Sequence, residues 1–164
     1  ISMGTVNNNL LSFYKTCLSA FENTPYQVIL SVGNLVSLNE FSKLPEHISV
    51  FSHVDQIAVL KKADIFISHC GMNSVNESLY FGVPLIMLPQ TSEQSGVAER
   101  VSQLGAGIRL HKPDADAIRN TVEKIFADSS YKQNACKISD GFQKCSGVKG
   151  AADKILQVCE NDAL

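Results

Sequence analysis

Short apolar runs alternate with longer segments of helical period along this chain, and that alternation narrows its fold more than any other feature. The runs fall at 1–3, QVILSV (27–32), ISVFS (48–52), DIFIS (64–68), PLIML (84–88) and GIRL (107–110). Continuous apolar runs of this length, bounded by turn residues and rich in β-branched side chains, read as strands buried on both faces. Between the first two, Leu10, Leu11, Tyr14, Leu18 and Phe21 recur near helical spacing and predict a helix over 8–21. Pro113 suits a first helical turn, and Ile118, Val122, Ile125 and Phe126 supply the buried stripe that follows. Two more helical stretches fall at about 129–145 and 148–160. Strand and helix in repeated alternation predict an α/β fold: a Rossmann-like parallel sheet with helices on both faces.

At 164 residues and 45% hydrophobic content, the chain suffices for one domain with a real core. A formal charge of −2 leaves no basic excess for nucleic acid or an anionic membrane surface, so an anionic ligand must be held by local groups. The five cysteines are odd in number and form no C-x-x-C pair, which argues against a disulfide framework and a zinc site and favours a reducing, cytoplasmic setting. No apolar run approaches the roughly 20 residues of a membrane span. Residue 1 falls inside a strand, as it would in an excised domain, with a partner domain expected elsewhere.

The stretch SHCGMNSVNES (68–78) sits where the fourth run gives way to a helix. In an open parallel sheet, ligands bind beyond the carboxyl ends of the strands, where the strand order reverses. There Gly71 permits close backbone approach, Asn73 and Ser74 fall at a helix start with unpaired N–H groups, and His69 reaches the same point, a combination suited to phosphate. Neither G-x-G-x-x-G nor G-x-x-x-x-G-K-[ST] occurs. A competing reading takes Ser74-Val75-Asn76-Glu77 as a capping box that needs no ligand. His47, His53 and His111 default to structural or exposed roles. Asp114-Ala115-Asp116 is a D-x-D string, but carboxylates at i and i+2 of a helix diverge, which makes them a poor metal chelate.

From His53 to Gln94 the sequence HVDQIAVLKKADIFISHCGMNSVNESLYFGVPLIMLPQTSEQ resembles the donor-binding signature of family 1 UDP-glycosyltransferases. Its second half, continuing through SGVAERV, is most similar to the bacterial macrolide-glycosyltransferase branch, and Ser2-Met3-Gly4-Thr5 resembles the turn after the first strand of the family's C-terminal domain. The resemblance implies the C-terminal, donor-binding half of a GT-B enzyme, whose N-terminal domain binds a small-molecule acceptor. It implies inverting transfer of a hexose from a UDP-sugar, with the base on the N-terminal domain and no catalytic residue in this chain. Because the helix start at Asn73–Ser74 and His69 would themselves neutralise the diphosphate, no essential metal or other cofactor is expected. By the same resemblance, Thr5, His69, Gly71, Asn73 and Ser74 surround the diphosphate. His53, Val54, Gln56 and Glu77 face the nucleoside, Glu77 accepting the ribose hydroxyls, and Glu93 and Gln94 hold the sugar. His53, Asp55 and Met72 depart from the family's usual residues, which leaves uridine and thymidine both open. Two other classes fit the same residues: a natural donor-binding subunit of a split enzyme, and a nucleotide-sugar sensor or epimerase-like domain.

Overall fold

The computed structural model describes residues 1–5 and 8–161. Five strands are named: β1 (Val28–Ser31), β2 (Ile48–Phe51), β3 (Phe66–Ser68), β4 (Leu85–Met87) and β5 (Gly107–Arg109). β1 pairs with β2, and β3 with β4 and β4 with β5, all parallel. The opening segment joins the two groups, because Ser2 bridges to Ser31 on one side and to Ser68 on the other, both in parallel sense. Two backbone bonds hold it there, Ser2 N–H to the Ile67 carbonyl at 3.0 Å and Ser31 N–H to the Ile1 carbonyl at 2.9 Å. With that segment counted first, the strand order is 3-2-1-4-5-6, the doubly wound arrangement. The order reverses between the opening segment and β3, so the crevice opens beyond Met3 and Ser68.

Helices α1 (Leu11–Phe21), α2 (Gln56–Leu60), α3 (Met72–Tyr80), α4 (Ser92–Gln103), α5 (Ala115–Ala127), α6 (Ser130–Gln143) and α7 (Gly147–Asn161) complete the architecture. Alternate residues of a strand point to opposite faces, and the two halves of the core sort accordingly. Ile67 and Ile86 meet Phe13, Tyr14 and Cys17 of α1 and Ile118, Val122 and Ile125 of α5. Phe66, Leu85 and Met87 meet Val75 and Leu79 of α3, Ala98 and Val101 of α4 and Ala135 of α6. The sheet is thus covered on both faces, as its uninterrupted apolar runs require. α7 leaves Val148, Ile155, Leu156 and Val158 exposed.

The boundary that moved most is the start of α1, at Leu11 instead of residue 8. Asn8, buried to 2% exposure, donates its Nδ2–H to the Gly4 carbonyl at 3.0 Å, and Leu10 N–H bonds the Asn8 carbonyl at 2.8 Å. An asparagine engaged with its own loop favours a turn over helix entry. The D-x-D string is likewise tied up locally. Asp114 caps α5 by accepting from Ala117 N–H at 2.8 Å, and Asp116 pairs with Arg119. His47 Nε2 lies 2.9 Å from the Phe21 carbonyl, a structural role. All five cysteines are free thiols. Among the described residues no helix is long and apolar enough to cross a membrane, and no group of three or more metal-ligating side chains gathers.

Candidate functional site

A cleft of about 610 Å³ opens at the reversal of strand order. Its walls include Thr5 after the opening segment, His53, Val54 and Gln56 around the start of α2, His69, Gly71, Asn73, Ser74 and Glu77 from the β3–α3 connection, and Glu93 of α4. Ten of the eleven residues proposed above from the sequence therefore share one cavity. Gln94 is the exception: its Oε1 accepts from Gln90 N–H at 2.7 Å, so the amide folds back over the start of α4 and does not line the cleft.

The capping-box reading fails on geometry. α3 begins at Met72, with Gly71 as N-cap and no side-chain capping bond. Ser74 and Glu77 lie inside the helix, three residues apart on one face, instead of flanking its first turn. The first helical bond is Val75 N–H to the Gly71 carbonyl. The amides of Met72, Asn73 and Ser74 precede it and keep the unpaired N–H groups of a helix start, at the positive end of its dipole. Among the described residues no lysine or arginine lines this cleft; those amides and His69 are the groups there suited to meet an anion.

His69 is held between two glycines. A Cβ on Gly4 would fall 2.5 Å from its Cε1, and one on Gly71 would fall 2.6 Å from its Nε2. Gly4 also has φ +81°, so a side chain there would be strained as well as crowded. Nδ1 is buried without a hydrogen-bond partner among the described residues. Burial pushes the imidazole below its ordinary pKa; the backbone of Ser2 opposes this without a well-formed bond to Nδ1. The next residue, Cys70, adopts φ +67°, a conformation that costs a non-glycine residue about 1 kcal/mol or more. Its full burial and its N–H bond to Ser68 Oγ at 3.2 Å offset that cost and fix the bend that presents His69 and Gly71.

At the other end, Asp55 caps α2 by accepting from Ala58 N–H at 3.0 Å. Its departure from the resembled signature therefore has a local structural reason. The cap sets Gln56 as the first helical residue, and its Nε2 donates to Glu77 Oε2 at 2.7 Å and to Ser74 Oγ at 3.2 Å. Glu93 stands exposed in the first turn of α4, where Thr91 Oγ1 accepts from Gln94 N–H at 3.3 Å. Sequence reading missed Ser31 and Gly33, which line the cleft, and Asn8 behind it. A Cβ on Gly33 would fall 2.0 Å from Asn8 Nδ2, so this glycine and asparagine lock the first two strand-to-helix loops together. The run Asn7-Asn8-Asn9 carries no periodicity, and only the tertiary fold singles out its middle member.

Fold and cleft define a doubly wound α/β domain with a polar, glycine-walled crevice at its switch point. A family model described as the C-terminal domain of erythromycin biosynthesis protein CIII-like proteins matches residues 17–146. The chain is 35% identical over 159 residues to the uncharacterized UDP-glucosyltransferase YojK of Bacillus subtilis, covering 96% of this chain and 39% of that protein. To the NDP-glycosyltransferase YjiC of Bacillus licheniformis it is 38% identical over 157 residues, covering 94% and 40%. The crystal structure of CalG4, the calicheamicin glycosyltransferase, superposes with a TM-score of 0.91 at 27% identity, over 99% of this chain and 43% of that one. The chain belongs to the erythromycin biosynthesis protein CIII-like, C-terminal domain family, and its fold is that of GT-B glycosyltransferase C-terminal domains. It spans about two fifths of the length of the curated relatives it matches.

Proposed function

We propose that this domain binds a UDP-sugar and forms the donor half of an inverting glycosyltransferase that moves a hexose to the hydroxyl of a small-molecule acceptor. The observation that carries this reading is the convergence, in one cleft, of the unpaired start of α3, His69 and the Glu77 carboxylate. A diphosphate meets the N–H groups of Met72, Asn73 and Ser74 and the His69 imidazole, with Thr5 at the opposite lip and Gly71 allowing close approach. Glu77 offers several acceptor sites to vicinal ribose hydroxyls, and His53, Val54 and Gln56 lie toward the nucleoside. Glu93 faces the sugar, and Gln94 joins it by releasing its bond to Gln90. As the sugar–phosphate bond breaks, negative charge grows on the diphosphate, and fixed N–H donors stabilise it there in the manner of an oxyanion hole. The base that deprotonates the acceptor comes from an N-terminal acceptor-binding domain, and the setting is cytoplasmic.

Calorimetric titration with UDP tests the reading. His69→Ala and Glu77→Ala should each weaken binding by about 1–3 kcal/mol, the loss of a hydrogen bond to a charged group. Binding should be the same in EDTA as in excess magnesium or manganese, and the domain alone should not glycosylate a panel of acceptors. A cation requirement abolished by Asp114→Asn with Asp116→Asn would move the site to the D-x-D string.

A further inference from the structure

Asn8 lies behind the cleft wall at 2% exposure, and the donor reading gives it no task. An asparagine just ahead of a helix ordinarily caps it, but α1 has Leu10 as N-cap and no side-chain capping bond. The amide turns back instead. Nδ2 donates to the Gly4 carbonyl at 3.0 Å, and Gly33 presses on it so closely that a Cβ there would fall 2.0 Å from Nδ2 and 3.0 Å from Oδ1. Rotating the amide by half a turn would set two acceptor oxygens about as close, so the nitrogen faces Gly4. Oδ1 is then buried with no hydrogen-bond partner among the described residues. A half-satisfied buried amide costs stability, so this side chain is better explained by what it holds in place.

What it holds is the wall behind His69. Gly4 is fixed on both sides, its N–H donating to Ser2 Oγ at 3.4 Å and its carbonyl accepting from Asn8. Those bonds set the turn at φ +81° whose Cα backs the imidazole. Gly33, the other surface against Asn8, is anchored in turn by its N–H bond to the Ser52 carbonyl at 3.0 Å. A continuous line of contacts therefore runs from the end of β2 through Gly33, Asn8 and Gly4 to His69.

We infer that Asn8 is a positioning residue for the phosphate-binding end of the cleft: braced on Gly33, it fixes the Gly4 turn and through it the orientation of His69. The inference rests on the donor-site reading above. Without the Nδ2 bond the Gly4 peptide turns away, the wall behind the ring recedes, and the imidazole gains freedom that a diphosphate must remove again on binding.

The test is a double-mutant cycle read by calorimetric titration with UDP. Asn8→Ala and Asn8→Ser, the second polar but too short to reach Gly4, should each weaken UDP binding about fivefold or more, the misalignment of a hydrogen bond to a charged group. In a His69→Ala background the same changes should have almost no further effect, because Asn8 acts through His69. In the ligand-free protein the His69 ring resonances, assigned by their loss in His69→Ala, should shift in both Asn8 variants. A merely structural Asn8 would lower Tm, leave the affinity of the folded protein intact and leave those resonances in place. That result, or an equal loss of affinity with and without His69, overturns the inference while the donor site stands. If wild type does not bind UDP, the donor-site reading falls and takes this inference with it.

Discussion

Replacing Gly71 by alanine isolates the clamp on His69 from the stability of the fold. Gly71 has φ −57°, so alanine meets no backbone strain there. The new Cβ, however, would fall 2.6 Å from His69 Nε2 and 3.0 Å from Cε1. Carbon and nitrogen settle near ~3.5 Å, so the ring must move by close to ~1 Å. Retreat is limited, because Gly4 backs the imidazole so closely that its own Cβ would lie 2.5 Å from Cε1. A displacement of that size misaligns a hydrogen bond to a charged ligand that is worth about 1.5–3 kcal/mol. We expect UDP affinity to fall fivefold or more, about 1 kcal/mol at least. Stability should change little, since alanine at an N-cap costs about 0.5–1 kcal/mol relative to better caps, or ~2–4 °C in Tm. Calorimetric titration beside differential scanning calorimetry reads both. If Gly71→Ala binds UDP within twofold of wild type while His69→Ala does not, the glycines do not hold the ring and the argument from crowding is wrong.

Other expectations follow from single features. Gly96 and Gly141 lie exposed in α4 and α6, and a Cβ on either meets nothing within 4 Å; each change to alanine should stabilise by roughly 0.5–1 kcal/mol, additively, and a double variant whose Tm falls would refute it. Burial pushes the Cys17 and Cys70 thiols up to about 12, whereas Cys145 and Cys159 are exposed; a thiol reagent near neutral pH should label the exposed pair first and reach the buried pair only on unfolding. His69 holds its proton less well folded than unfolded. The unfolded chain therefore binds more protons as pH falls below about 6.5, and stability drops there. The wild-type Tm should decline relative to His69→Gln between pH 7.5 and 5, and parallel profiles would count against the burial argument.

Much of this was legible in the chain because it is local. Ile67 and Ile86 face α1 and α5 while Phe66, Leu85 and Met87 face α3 and α4, and a strand buried on both sides must be apolar at every position, which is what the runs display. Ser74 and Glu77 were ambiguous for a physical reason: a capping box and a ligand-facing helical pair share a three-residue spacing, and only the start of α3 at Met72 separates them. Gln94 is sound as a residue type, yet its side chain answers to the nearest donor, Gln90 N–H, which no spacing rule reveals. Asn8 and Gly33 were out of reach altogether. Their contact joins loops that follow different strands, and nothing in either segment announces the other.

The placement of the opening segment at the middle of the sheet has a consequence for how the protein comes into being. Residues 2–5 form one lip of the cleft, and the β3–α3 connection forms the other. A ribosome working at roughly 5–20 residues per second releases these two lips several seconds apart. Until β3 emerges, Ser2 has a neighbour on one side only, and the glycine that will back His69 has no imidazole to hold. The pairing of Ser2 with Ser68 is a long-range closure of the kind that slows folding, so the cleft matures after the β1–β2 pair beside it. Nascent chains stalled before residue 66 should display native-like pairing of β1 with β2 and no capacity for nucleotide, which makes the binding site a late product of synthesis and its appearance a marker that the sheet has closed.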